Sequence, residues 1–181
     1  MKKTILTIIS LLISAITLAC SCDWGGNFIK VSKYAELIVK GKIITHEFHS
    51  ENGKSFQSLK DFLEETENEN YTESIIIEVI ETIRGEEKWN RIEIYGSDGA
   101  DCLIGLQHFK IGKTYIFSLV TSVHTDYSAL PKVNRLYSIE GCSENWLEYL
   151  TETNEVKGLI KGRNTKKLRI YKYDKLKRKI T

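Results

Sequence analysis

Four cysteines, Cys20, Cys22, Cys102 and Cys142, constrain this chain more than any other feature. Two stand one residue apart near the N-terminus, and two are isolated far downstream. An even number of cysteines in an exported protein reads as a disulfide framework, whereas in a reducing compartment it reads as metal or redox chemistry. The N-terminal residues decide between these contexts. Lys2 and Lys3 precede an uncharged run, Thr4 to Leu18, rich in Ile and Leu, which ends in Thr17-Leu18-Ala19. Small residues three before and one before a cut after Ala19 meet the requirement of a signal peptidase. The run is shorter than the ~20 residues of a spanning helix, and no basic stop-transfer cluster follows it. Residues 1–19 are therefore expected to be a signal peptide, with a mature chain that starts at Cys20 and is extracellular or periplasmic. A lipoprotein anchored at Cys20 is the alternative. Its attachment box usually has Leu, Val or Ile three residues before the modified cysteine, where this chain has Thr17, or Ala19 if Cys22 is counted.

Four cysteines allow three pairings. Joining Cys20 to Cys22 closes a strained ring across one residue, so both are expected to reach forward. Either remaining pattern ties the N-terminus to the far half of the chain, closing loops nominally worth about 4–5 kcal/mol each before native strain. A structural zinc site fits poorly, because one C-x-C and two single cysteines lack the paired spacing of zinc ribbons.

Without Lys2 and Lys3 the basic and acidic residues balance, yet residues 151–181 carry a net charge of +8 and residues 20–150 a net charge of −8. A basic tail on an acidic body can contact its own domain, an anionic surface, or only water.

Phe28, Val31, Tyr34 and Ala35 recur at helical spacing and predict a short helix. Leu37 to about His49 reads as a β-branched strand with a bulge at Gly41. Residues 50–70 are a polar insertion in which Ser58 can cap a short helix through Leu59, Phe62 and Leu63. Alternation predicts strands at Glu73 to Ile83, Arg91 to Tyr95, Thr114 to Val120 and Arg135 to Ile139, with Arg84-Gly85-Glu86-Glu87 as a turn. Ser143 is expected to cap a closing helix with Trp146, Leu147 and Leu150 on one face. Closely spaced strands without βαβ alternation point to an antiparallel barrel or sandwich. The domain is expected to span residues 20–153. Residues 154–181 follow as a basic tail or solvated hairpin that the barrel can do without, since every cysteine and the closing helix precede them.

No catalytic motif is legible. His46-Glu47-Phe48-His49 lacks the i, i+4 helical spacing of a zinc-protease motif, and on a strand a spacing of three sends the two rings to opposite faces. Gly96-Ser97-Asp98-Gly99 is a turn and lacks the G-x-S-x-G of a nucleophile elbow. His108 and His124 show no evident partner and are expected in loops or on the surface. Tyr171 and Tyr173 among lysines invite nucleic-acid stacking, which export argues against. The chain is therefore expected not to be an enzyme, to carry no cofactor or metal of its own, and to bind no nucleic acid. A membrane contact is expected only if Cys20 is lipidated.

Cys20-Ser21-Cys22 remains. A free α-amino group has a pKa near ~7.7–8, so a useful fraction is neutral and can ligate a metal at physiological pH. With its own carbonyl oxygen it forms a five-membered chelate, and a disulfide through Cys20 would hold that pair rigid. The plainer reading is that C-x-C merely staples the N-terminus to the barrel.

Three segments together resemble the N-terminal domain of the tissue inhibitors of metalloproteinases, within the wider netrin-like modules. They are Ala19-Cys20-Ser21-Cys22 with the following helix and strand to Ile44; Asp101-Cys102-Leu103 with Lys110-Ile111-Gly112-Lys113 and Thr114-Tyr115-Ile116-Phe117; and Tyr137-Ser138-Ile139-Glu140-Gly141-Cys142 leading into Trp146. The likeness spans about residues 20–150. It implies a mainly β, five-stranded OB-like Greek-key barrel with short flanking helices and two disulfides, Cys20–Cys102 and Cys22–Cys142. It also implies inhibition of a zinc metalloproteinase. The Cys20 amine and carbonyl would chelate the protease zinc, Ser21 would enter the adjoining pocket, and Ser97, Asp98, Gly99, Ala100 and Asp101 would form a second contact ridge. The chain departs from the family pattern at Asp23-Trp24-Gly25-Gly26, which lacks the usual proline, and at Phe28-Ile29, where a further cysteine is absent. The module also occurs as a plain binding domain, so an exported module that binds a protein partner, a glycan or an envelope surface is the alternative function.

Overall fold

The computed structural model describes residues 23–66, 70–97, 103–122, 136–162 and 167–181. The chain is mainly β with short helices. Helix α1 (Phe28–Val31) runs directly into a 3-10 turn at Ser32–Tyr34, and the Asn27 side chain caps it by accepting from the Lys30 amide at 3.3 Å. There follow strand β1 (Leu37–Ser50), strand β2 (Ser55–Phe56) and helix α2 (Leu59–Thr66), then strands β3 (Tyr71–Arg84), β4 (Arg91–Tyr95) and β5 (Thr114–Thr121). Strands β6 (Tyr137–Ser138), β7 (Trp146–Leu150), β8 (Glu155–Gly158) and β9 (Arg169–Lys172) lead into helix α3 (Tyr173–Ile180).

The strands lie in the order β2-β1-β3-β4-β6-β5-β7-β8-β9, and β5 pairs a second time with β1. The pairings β1–β3, β3–β4, β4–β6, β6–β5 and β5–β1 thus return to their starting strand, a barrel-like arrangement in which only β4–β6 is parallel. Inside this ring lies the larger apolar cluster, with Leu37, Val39, Ile75, Ile77, Ile92, Ile94, Phe117 and Tyr137. The bend of β1 that the ring needs coincides with register shifts against β3, one of them at Gly41 as expected. A side chain at Gly41 would press on the Ile77 methyl, 2.5 Å from the ideal Cβ position.

Ser58 caps α2 as read from sequence, its hydroxyl accepting from the Lys60 and Asp61 amides at 3.1 and 3.4 Å. Phe62 points down from that helix onto Phe56 and Tyr71. Gly85 makes the β3–β4 turn with φ of 85°, where a Cβ would lie 2.4 Å from the Glu36 carbonyl oxygen.

Two expectations are corrected. The closing helix after Ser143 does not form. Residues 146–150 are strand β7, paired on one side with β5 (Phe117 opposite Trp146) and on the other with β8. Spacing at 146, 147 and 150 suits a helix, but the open edge of β5 satisfies the backbone of 146–150, and the strand turns Leu147 into the second apolar cluster while Trp146 packs, half-buried, against the ring core. The second correction concerns residues 154–181. The hairpin alternative is the one that forms, as β8 and β9, but it is not a solvated appendage. Val156, Ile160, Tyr173, Leu176 and Ile180 are buried in a second cluster with Phe28, Ile38, Ile83, Ile116 and Leu147. Ile38 and Ile116 point out of the ring, opposite to Val39 and Phe117, so the outer faces of β1 and β5 need this cover. Glu81 fastens the cover electrostatically: it takes hydrogen bonds from Lys40 at 2.9 Å, from the Tyr173 hydroxyl at 2.8 Å, and from Lys177.

Strand β6 is shorter than the expected run from Arg135 to Ile139; Arg135 lies outside the described residues and Ile139 makes a loop contact instead. Among the described residues no helix is long and apolar enough to cross a membrane.

Candidate functional site

Cys20, Ser21 and Cys22 lie outside the described residues, as do Asp98, Gly99, Ala100, Asp101 and Cys102 of the second ridge. Their flanking segments are described, and they meet at one edge of the molecule. The Gly25 amide donates to the Cys142 carbonyl oxygen at 2.9 Å, and the Glu144 amide donates to the Gly26 carbonyl oxygen at 3.0 Å. Gly25 fits against Ser143 so closely that a Cβ would fall 2.2 Å from its hydroxyl oxygen. The next residues are held from the other side, Phe28 and Ile29 donating to the Leu159 and Ile160 carbonyl oxygens at 3.0 and 3.1 Å. The chain emerging from Cys22 is thereby clamped between residues 142–144 and 159–160.

The segment after Cys102 joins the same edge. Leu103 forms an antiparallel bridge with Glu140, and the Ile104 amide donates to the Ile139 carbonyl oxygen at 3.2 Å. Ser97, the one ridge residue described, donates its amide to the Ile104 carbonyl oxygen at 3.0 Å, so the chain entering and leaving 98–102 is tied together. Glu140 and Cys142 are two residues apart, which makes 140–144 the hub between the N-terminal segment and the segment around Cys102. Cys142 is disulfide-bonded. Its expected partner Cys22, and both members of the expected Cys20–Cys102 pair, lie outside the described residues.

Beside the hub runs a groove of about 380 Å³ between the first helical turns and β5, lined in part by Gly25, Lys30, Tyr34, Glu140 and Asn145. Asn145 braces it by donating to the Glu140 carbonyl oxygen at 3.0 Å. Two aromatic side chains stand out from this edge, Trp24 at 42 % exposure and Tyr34 at 78 %. Large exposed aromatics are the side chains that anchor protein interfaces. The sequence does not mark them as contacts: Trp24 falls in the segment that departs from the family pattern, and Tyr34 falls at helical spacing with Phe28 and Val31. Glu144 lies under the clamp, accepting from the Leu159 amide at 3.0 Å, and burial raises its carboxyl above the ordinary range.

The histidines are placed apart, as the strand reading required. His46 reaches the ring end of β1 and contacts Glu73 at 3.3 Å and the Phe109 carbonyl oxygen at 2.8 Å. The hydrogen bond to Glu73, more than compensating burial, raises its pKa. His49 contacts Ser55, Ser74 and Glu93 on the other face. His108, read as partnerless, lies in a turn against the Phe109 and Trp146 rings, and burial lowers its pKa. The ring contacts come from chain neighbours and from a strand that had been read as a helix, which is why no pairing was visible. His124 lies outside the described residues. Among the described residues no group of three His, Cys, Asp or Glu side chains could hold a metal ion. Tyr171 and Tyr173 do not form a stacking platform: Tyr173 is buried, and Tyr171 sits under Lys161 and Lys175.

No protein-family model matches this chain, and no curated protein matches it in sequence.

Proposed function

We propose that this chain is an exported inhibitor of zinc metalloproteinases, acting through the amine and carbonyl of Cys20 on an OB-type, five-stranded Greek-key barrel. One observation carries the reading. The hydrogen bond from Gly25 to Cys142, next to the bridge from Leu103 to Glu140, brings the chain that follows C-x-C and the chain that follows Cys102 to a single edge. That edge carries Trp24 and Tyr34 beside a groove, the furniture of a protein contact. The cyclic strand pairing with one parallel contact, β4–β6, supports the OB assignment, which uses that connection to close five strands.

In this reading the signal is removed after Ala19, and Cys20–Cys102 and Cys22–Cys142 fix the new terminus to the barrel. A catalytic zinc keeps an open coordination position for water. The neutral Cys20 amine and its carbonyl oxygen fill that position, Ser21 enters the neighbouring pocket, and residues 97–101 add the second ridge. The reading assigns the N-terminal edge no catalysis, no cofactor and no metal of its own.

The test is an inhibition assay against a panel of zinc endopeptidases with the mature protein, its N-terminus defined by intact mass. One alanine added before Cys20 converts the amine to an amide, a poor neutral ligand, and is expected to abolish inhibition while leaving the fold unchanged. Inhibition is expected to weaken as pH falls below the amine pKa of about 7.7–8, because the proton competes with the metal. Equal inhibition by native and extended forms overturns the chelation mechanism.

A second reading, a non-inhibitory exported binding module, is favoured by a different surface. Lys175, Arg178 and Lys179 share the solvent side of α3, opposite buried Tyr173, Leu176 and Ile180. A lipid on the Cys20 amine, visible in the same mass spectrum, would exclude chelation and support this second reading.

A further inference from the structure

Three side chains from three strands, β2, β1 and β4, form a hydrogen-bonded relay. Ser55 and His49 face each other across β2 and β1. The Ser50 amide donates to the Lys54 carbonyl oxygen one pair earlier, so His49 and Ser55 form a non-hydrogen-bonded pair, the kind that brings opposite side chains closest. Ser55 Oγ accordingly lies 2.9 Å from His49 Nδ1. His49 Nε2 lies 3.1 Å from Glu93 Oε1 and 2.8 Å from Ser74 Oγ. Ser74 gives its own proton to Glu93 Oε1, at 2.6 Å, so both neighbours of Nε2 are acceptors and Nε2 carries the ring proton. In the tautomer that these contacts select, Nδ1 presents its lone pair to the Ser55 hydroxyl. Glu93 and Ser74 are completely buried and His49 is 2 % exposed, while Ser55, on the edge strand of the sheet, is open to solvent. Tyr95 stacks on the His49 ring at 5.5 Å, and its hydrogen bond to Glu93 holds that carboxylate in turn. Glu47, on the same strand face, takes a hydrogen bond from Gln57 at 3.4 Å and acts on His49 through its charge.

We propose that Ser55 is a nucleophile activated by His49 and oriented through Glu93, and that it takes acyl groups from small unhindered esters. The arrangement meets the role-based definition of a serine–histidine–acid relay, with the two ring nitrogens exchanged relative to the commonest version. Ser55 Oγ attacks the ester carbonyl carbon as its proton passes to His49 Nδ1. The carbon–oxygen bond to the leaving alkoxide breaks, and that alkoxide takes the proton from Nδ1 and departs as the alcohol. Water then attacks the acyl-Ser55 ester by the same proton route, releasing the carboxylic acid and restoring Ser55; Glu93 stays ionised throughout. In a non-hydrogen-bonded pair the Ser55 amide points away from β1 and out of the sheet edge, where it can donate to the developing oxyanion. Ser55 is exposed on the edge strand of the sheet, where a small unhindered ester reaches its hydroxyl directly. The activity uses no residue of the N-terminal edge and stands or falls independently of inhibition.

The experiment is labelling of the full-length mature protein with a fluorophosphonate probe, read by intact mass and peptide mapping. One label on Ser55 is expected, absent from Ser55→Ala, whose exposed position leaves folding intact. His49→Gln and Glu93→Gln, checked for folding by circular dichroism, are each expected to slow labelling by about 100-fold or more, the low end of general-base contributions. Should both variants unfold, the urea-denatured wild type supplies the comparison and must label at least about 100-fold more slowly than the folded protein. No label on the native protein, a label on another residue, or an undiminished rate in a folded His49→Gln or in the denatured chain overturns the proposal.

Discussion

At the scale of single residues, the two histidines of His46-Glu47-Phe48-His49 show what a local motif can and cannot convey. The spacing of three correctly separates them onto opposite faces of β1, but their partners, Glu73, Ser74 and Glu93, come from strands decades of residues away and leave no mark on the motif. The relay through Ser55 was illegible for the same reason, since nothing in residues 49, 55 and 93 announces that sheet register will bring them together. His46 yields a pH prediction with a definite sign. Its hydrogen bond to the almost wholly buried Glu73 holds its pKa above the ordinary 6.5. A folded-state pKa above the unfolded one gives stability that is complete below about pH 6.5 and is lost as pH rises through the folded value. His108, whose pKa burial lowers, acts in the opposite sense and subtracts stability as pH falls below its unfolded value. Urea midpoints from about pH 5.5 to about pH 9 are expected to fall on the alkaline side for the wild type and to lose that fall in His46→Gln. An unchanged alkaline slope in the variant would assign the titration to another group.

At the scale of elements, alternation and turn chemistry located most of the strands, because β1, β3, β4 and β5 each bury one face in the ring and mark it with Ile, Val or Phe. The helix expected after Ser143 failed because Trp146-Leu147-Glu148-Tyr149-Leu150 is ambiguous at five residues, and the decision belongs to the unpaired edge of β5 rather than to the segment itself. Turns are more self-contained, and Gly85 illustrates it. With φ of 85° and a backbone oxygen 2.4 Å from the would-be Cβ, Gly85→Ala combines left-handed strain with a clash against the chain entering β1. It is expected to cost about 2–3 kcal/mol in urea unfolding. Gly53 has φ of 77° and nothing within 4 Å of its Cβ position. Gly53→Ala should therefore lose only about 1 kcal/mol. Equal losses would show that strain alone, and not the Glu36 contact, sets the cost at Gly85.

At the scale of the whole molecule, the sequence carried a clue about its own C-terminal stretch that charge counting obscured. Leu37-Ile38-Val39 opens β1 as a continuous apolar run, and a strand apolar on both faces must be covered on both. The ring covers Leu37 and Val39, while Ile38 needs a second layer, which residues 155–160 and α3 supply together with Phe28 and Leu147. Eleven basic residues after position 153 hid this, because the apolar positions of that stretch, Val156, Ile160, Tyr173, Leu176 and Ile180, are sparse and separated. The same stretch also clamps the N-terminal edge through the carbonyl oxygens of Leu159 and Ile160. Truncation after Thr153 is therefore expected to remove the cover from Ile38, Ile83 and Ile116 and to loosen residues 25–29 together. Loss of one large buried side chain costs about 2–5 kcal/mol, and five are lost at once, a total of roughly 10–25 kcal/mol that matches or exceeds the ~5–15 kcal/mol reserve of an ordinary domain. The truncated chain should show no cooperative urea transition and should lose the protease inhibition proposed for the N-terminal edge. Leu176→Ala, a gentler version, should lower stability by about 2–4 kcal/mol while preserving cooperativity and inhibition. A truncated protein that unfolds cooperatively with inhibition intact would show that the ring and its N-terminal edge are self-sufficient, and that the second cluster only anchors the basic helix.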